Sequence, residues 1–159
     1  MPDRPDRHLD KEQEMTLKDK KVLVAGAGKS GIGSASLLIR SGASVSLYDG
    51  NEHLKAQDIY DKLEGKKEIP LILGELTPGA EEEFDLLVLS PGISVNAPVS
   101  KQFMDSGRPV WSEIELAYQV SRGQIAAITG TNGKTTTTAL VGEIMKCFYS
   151  DVYVVGNIG

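Results

Sequence analysis

The sequence predicts an α/β protein organised around a parallel sheet, and three observations carry that prediction. Two apolar runs of strand length, Lys21 to Ala25 and Gln124 to Thr129, each lead into a glycine cluster and then into a segment of helical period. Between them, further short apolar runs alternate with helix-like segments, the order that builds a parallel sheet with crossovers. The chain has 159 residues, 40% of them hydrophobic, enough for one ordinary core and part of a second.

In chain order, residues 1–20 carry many charges of both signs and few apolar groups, too few to offset the entropy of ordering. They are read as a disordered tail, with Met15 a candidate natural start. Lys21 to Ala25 (KVLVA) is a central strand, and Gly31 to Arg40 is a helix with Ile32, Ala35, Ser36, Leu38 and Ile39 available to pack. Ser44 to Tyr48 is a second strand. Asn51 is placed to cap a polar helix running through Glu64. Leu71 to Leu73 and Asp85 to Leu89 make two more strands. The second of these ends at Ser90-Pro91-Gly92, because proline cannot continue a ladder and glycine admits positive φ. Val99 to Ser106 is the next helix.

Around Arg108 to Ser112 the pattern changes, and a helix from Glu113 to about Ser121 follows, so a hinge is expected there. The expected domains are therefore residues 21–111 and residues 112–159. The second contains a strand over Gln124 to Thr129, a helix to about Phe148 and a strand over Val152 to Val155. So short a second sheet reads as the beginning of a domain cut off before completion.

Composition narrows the function. A net charge of −5 argues against a general nucleic-acid binder, which needs Lys and Arg to displace counterions. Cys147 is the only cysteine, which excludes an internal disulfide and favours a reducing compartment. No apolar run approaches the roughly 20 residues that span a bilayer, and the N-terminus lacks a signal-peptide core. A cytoplasmic location with no membrane partner is expected.

Gly26-Ala27-Gly28-Lys29-Ser30-Gly31 is a G-x-G-x-x-G set directly between a strand and a helix. The first glycine permits a tight turn, the second a close approach of backbone to phosphate, and the third close helix–strand packing. Free N–H groups at the helix start and the helix dipole suit a diphosphate. Asp49 stands where a dinucleotide fold places its ribose-binding acid, so this half reads as Rossmann-like. Taken alone, the loop is compatible with a nicotinamide dinucleotide, with another nucleotide diphosphate, or with glycines that serve packing only.

The second loop is Thr129-Gly130-Thr131-Asn132-Gly133-Lys134-Thr135-Thr136. In a P-loop the backbone N–H groups wrap phosphate oxygens, the lysine reaches the outer phosphates and the following hydroxyl ligates Mg²⁺. Lys134 and Thr135 occupy those places. The spacing departs from G-x-x-x-x-G-K-[ST], since Ile128 stands at the first glycine position. Thr135 to Thr138 also suit simple capping of a helix start.

Two phosphate loops of different types on one chain, the second reading TGTNGKTTT, resemble the Mur ligase family of peptidoglycan synthesis. Asn132, the Ser90-Pro91-Gly92-Ile93 turn and the closing Gly156-Asn157-Ile158-Gly159 are similar to its D-glutamate-adding branch. The resemblance implies a Rossmann-like UDP-binding domain followed by the start of a P-loop α/β ATPase domain. It implies that Gly28, Lys29 and Ser30 lie against the diphosphate or uracil, that Asp49 meets the uracil edge, and that Ser90, Gly92 and Ile93 line the same crevice. ATP would be held by Gly130, Thr131, Asn132, Gly133, Lys134, Thr135 and Thr136, with Thr135 on Mg²⁺. Lys134 and Asn157 would serve catalysis, Asn157 near the reacting end of the muramoyl substrate.

The implied reaction joins D-glutamate to UDP-N-acetylmuramoyl-L-alanine through an acyl phosphate, in a protein that is a monomer at full length. This chain would be an inactive fragment of it. Three other readings stand beside it: an NAD(P)-dependent oxidoreductase using the first loop, a non-catalytic module that binds UDP-sugars, and folylpolyglutamate synthetase. The last is disfavoured because a whole domain precedes the ATP-type loop.

Overall fold

The computed structural model describes residues 17–63 and 68–156, and it divides the chain into two units that meet between Ser121 and Arg122.

The first unit is a five-stranded parallel sheet. Its strands are β1 (Lys21–Ala25), β2 (Ser44–Asp49), β3 (Leu71–Leu73), β4 (Leu86–Leu89) and β5 (Val110–Ser112), in the order β3-β2-β1-β4-β5. The runs Val22 to Ala25 and Leu86 to Leu89 are continuously apolar because both faces of the sheet are covered. Val22, Val24, Leu86 and Val88 point to one face, where they pack with Ile32, Ala35 and Leu38 of helix α1 (Lys29–Arg40), Ile59 of α2 (Ala56–Tyr60) and Leu116 of α4 (Glu113–Val120). Leu23, Ala25, Leu87 and Leu89 point to the other, against Val99 and Phe103 of α3 (Pro98–Asp105). Each fully buried Val, Leu or Phe side chain among these contributes roughly 1.5–3 kcal/mol. The Rossmann-like parallel sheet expected from the sequence is therefore present.

Four expectations need correction. Asn51 does not cap the next helix. Its side-chain oxygen accepts the His53 N–H at 3.0 Å in a local turn, and α2 starts later, with Lys55 at its N-cap. The expected continuation through Glu64 lies partly outside the described residues.

The stretch read as a hinge is instead β5, which pairs with β4 in the register Leu87↔Val110, Val88↔Trp111, Leu89↔Ser112. It passes straight into α4 through a cap in which the Ser112 hydroxyl accepts the Glu115 N–H at 3.1 Å. Leu116 is fully buried in the first core, so α4 belongs to the first unit and not to the second.

Leu17, grouped by the sequence with the charged tail, is 5% exposed and packs in the same core. A turn at Asp19, with φ +64°, brings Lys20 to the start of β1. Residues 1–16 lie outside the described part of the chain.

The last correction concerns the second unit. Its one described helix is α5 (Lys134–Lys146). Gln124 to Thr129 and Val152 to Val155 run without ladder pairing among the described residues. A strand is satisfied only by a partner's N–H and C=O groups, which apolar composition alone does not supply. Val154 crosses α5 at Gly142, where a β-carbon would collide with its Cγ2 atom.

Candidate functional site

In the order β3-β2-β1-β4-β5 the direction of winding reverses between β1 and β4, and in open parallel sheets ligands sit beyond the carboxyl ends of the strands at such a point. The first glycine loop leaves β1 at that place. Gly26 has φ +103°, and a β-carbon on it would come within 2.9 Å of both Cβ and Oγ of Ser90. A β-carbon on Gly31 would collide with the Gly26 carbonyl oxygen. These two glycines are required by packing. Gly28 differs, for nothing lies within 4 Å of where its side chain would be, and it is exposed at the N-cap of α1. Its bareness leaves room for an incoming group, and the first-turn amides of α1 have no acceptor inside the helix.

The loop is fixed from two sides. The Gly26 N–H donates to the Tyr48 carbonyl at 2.7 Å, and the Ser90 N–H donates to the Ala25 carbonyl at 3.0 Å. The Ser90 hydroxyl, buried, lies 3.5 Å from the Gly26 carbonyl oxygen. Asp49, at the end of β2, accepts the Ala27 N–H on Oδ2 at 2.8 Å and the Asn51 N–H on Oδ1 at 3.0 Å. Beside it, burial pushes the Tyr48 phenol above its usual pKa, with the charges of Asp49 and Glu75 acting in the same direction.

The structure brings Gly28, Lys29, Asp49 and Ser90 around this one loop. Gly28 and Lys29 line a cleft of about 530 Å³ along α1, with Gly33 leaving it open and Lys62 on its wall. Ser90 and Ile93 face a second cleft of about 400 Å³, floored by Val110 and Trp111 and bordered by Glu113 and Ile114. A β-carbon on Gly26 would meet Ser90 and Ile93, two residues of the second cleft. Ser30 is half-buried in α1, and Gly92 is exposed with no neighbour within 4 Å of its Cβ position. Sequence reasoning missed Lys62, whose sole signal is a positive charge in a polar segment.

The second loop is described within its own unit. Gly130 has φ +152° and Gly133 φ +73°, and Gly133 is the N-cap of α5. The Lys134 ammonium turns back over the loop, donating to the Gly130 carbonyl at 2.6 Å and approaching the Thr131 carbonyl at 3.4 Å. Residues 129–137 are exposed, so Thr131, Asn132, Thr135 and Thr136 are open to a ligand. No group of three or more His, Cys, Asp or Glu side chains suited to a metal occurs among the described residues. Asn157 lies outside them. Nor is any described helix long and apolar enough to cross a membrane.

Residues 20–112 match the family of Mur ligase MurD-like N-terminal domains. The UDP-N-acetylmuramoylalanine–D-glutamate ligases of Lachnospira eligens and Lachnoclostridium phytofermentans are each 50% identical to this chain over 145 residues, 91% of this chain and 32% of theirs. The match runs through both glycine loops, and the chain spans about a third of the length of these curated relatives. Among solved structures, a pseudomurein peptide ligase type C from Methanothermus fervidus superposes with a TM-score of 0.53, at 25% identity, over 81% of this chain and 26% of that one.

Proposed function

The chain belongs to the MurD-like Mur ligases, and from that premise we propose that its first unit holds the UDP of UDP-N-acetylmuramoyl-L-alanine for ATP-dependent joining to D-glutamate. The observation that carries the proposal is the open Gly28 position at the head of α1, set at the reversal point of a parallel sheet. A diphosphate there meets unpaired amides and the positive end of the helix dipole, with Lys29 alongside. Asp49 supports the uracil end, and Ser90, Gly92 and Ile93 border the path from the diphosphate toward the muramoyl group.

ATP and Mg²⁺ fit the second loop on its own chemistry. Gly133 has nothing within 4 Å of its Cβ position, and the Lys134 ammonium already lies over carbonyl oxygens that a phosphate would replace as its partner. The Thr135 hydroxyl suits a hard cation that keeps most of its shell as water and phosphate oxygen. When bound, ATP supplies the phosphoryl group that turns a carboxylate into an acyl phosphate open to attack by an amine. The task of Lys134 and the loop amides is to hold the phosphates in line and offset their charge. Asn157 is assigned to the muramoyl substrate near its reacting end. The setting of this chemistry is peptidoglycan synthesis in the cytoplasm, by a monomer.

The test is a calorimetric titration with UDP-N-acetylmuramoyl-L-alanine, with NADH in a parallel cell. Binding of the first alone supports the proposal. Binding of NADH alone overturns it in favour of an oxidoreductase.

A further inference from the structure

Resting on the UDP reading above, the geometry points to Asp49 as a positioning residue, one that fixes the first loop in the shape that receives the ligand's phosphates. In the family reading its side chain meets only the base. Its surroundings show another task.

Both carboxylate oxygens are engaged by main-chain amides, Oδ2 by Ala27 at 2.8 Å and Oδ1 by Asn51 at 3.0 Å. Its own carbonyl accepts the Gly74 N–H at 2.9 Å, which ties the end of β2 to the end of β3. The preceding carbonyl, that of Tyr48, accepts the Gly26 N–H at 2.7 Å. Two consecutive amides of the loop, Gly26 and Ala27, are thus anchored on two consecutive residues of β2. Gly28 is then the first residue free to turn toward an anion, and the unpaired amides of α1 follow it.

A charged acceptor makes such bonds shorter and stronger than a neutral one. That gives a reason for a carboxylate to stand beside a site for a negatively charged ligand, where a bare charge would repel it. Each oxygen retains further lone-pair capacity, so the brace does not prevent a contact with the base. The two roles separate by where binding is lost. A contact with the base is equally present in uridine, UMP and UDP, whereas the shape of the loop matters more with each phosphate.

The experiment measures affinities of the full chain for uridine, UMP and UDP, in the wild type and in Asp49→Asn, with amide hydrogen exchange followed in both. An asparagine keeps the size but offers one acceptor where two are used. The expected result is a loss of about tenfold for UDP, little for uridine and an intermediate value for UMP. Exchange at Ala27 should speed up, while Val22, Leu23 and Val24 in the fully buried β1 stay protected. An equal loss for all three ligands overturns the proposal, and so does tighter UDP binding by the variant. An Ala27 amide that exchanges freely in the wild type overturns it without any variant. If the wild type binds none of the three ligands, it is the UDP reading that fails, and exchange at Ala27 still decides the brace.

Discussion

The two glycine loops share a local plan, an apolar run followed by glycines and a helix, yet they are supported very differently. The first is held by Tyr48 and Asp49 on one side and by Ser90 on the other, all distant in sequence. The second is held by its own residues, through the fold of Lys134 onto Gly130 and the bond from the Thr137 N–H to the Gly133 carbonyl at 2.9 Å. Helix α1 buries Gly31, Ile32, Ser34, Ala35 and Leu38, while α5 buries only Gly142 and leaves Leu140, Ile144 and Met145 exposed. A strand–loop–helix signal thus specifies a loop and a helix locally, but a sheet across the chain is needed to fix the loop's shape.

Core truncations should separate the units most strongly. Leu116→Ala empties a fully buried place in the first core and is expected to cost about 2–5 kcal/mol of stability. Leu140→Ala acts on a side chain that is 61% exposed, and is expected to change stability by no more than about 0.5 kcal/mol. Urea unfolding of the two variants decides the matter. A small effect at Leu116 would detach α4 from the first unit and restore the hinge near Ser112.

The loops themselves come next. Gly31→Ala forces a β-carbon against the Gly26 carbonyl, an overpacking expected to cost about 1–3 kcal/mol and to weaken UDP binding as the loop shifts. Gly133→Ala meets no neighbour and bears only the left-handed φ of +73°, a strain of roughly 1–2 kcal/mol. Calorimetry and unfolding should show UDP affinity falling in the first variant and unchanged in the second. Equal losses would mean that the loops do not act as separate sites.

What the sequence made legible follows the same division. β1, β4 and the helices packed on them were readable because a strand buried on both faces is an unbroken apolar run and a packed helix repeats its apolar residues. β5 was not, since three residues beginning at Val110 take their strand character from pairing with β4 and carry no period of their own. That the first compact unit runs past Ser112 was not legible for a related reason, because only the burial of Leu116 shows which core α4 serves. In the site, the glycines and Asp49 were visible by type and spacing. The bond from Ala27 to Asp49 joins residues 22 apart in sequence, and Lys62 comes to the cleft from beyond α2, so neither had a local signature.

The smallest expected effect tests whether the first loop's surroundings form one electrostatic unit. Burial holds the Tyr48 phenol in its neutral form to higher pH than usual, and the neighbouring charges of Asp49 and Glu75 add to this. The folded protein therefore retains that proton when the unfolded chain has begun to lose it. The associated stability is fully present below the unfolded value of about 10 and drains away as pH rises through the higher folded value. Unfolding followed from neutral pH into that range should show an alkaline loss in the wild type that is reduced in Tyr48→Phe. Asp49→Asn, which removes the charge but keeps the burial, should make the alkaline loss slightly smaller, because the folded value falls toward the unfolded one. If Tyr48→Phe lost stability with the same alkaline profile as the wild type, the phenol would play no part, and the coupling of β2 to the loop would rest on the backbone and Asp49 alone.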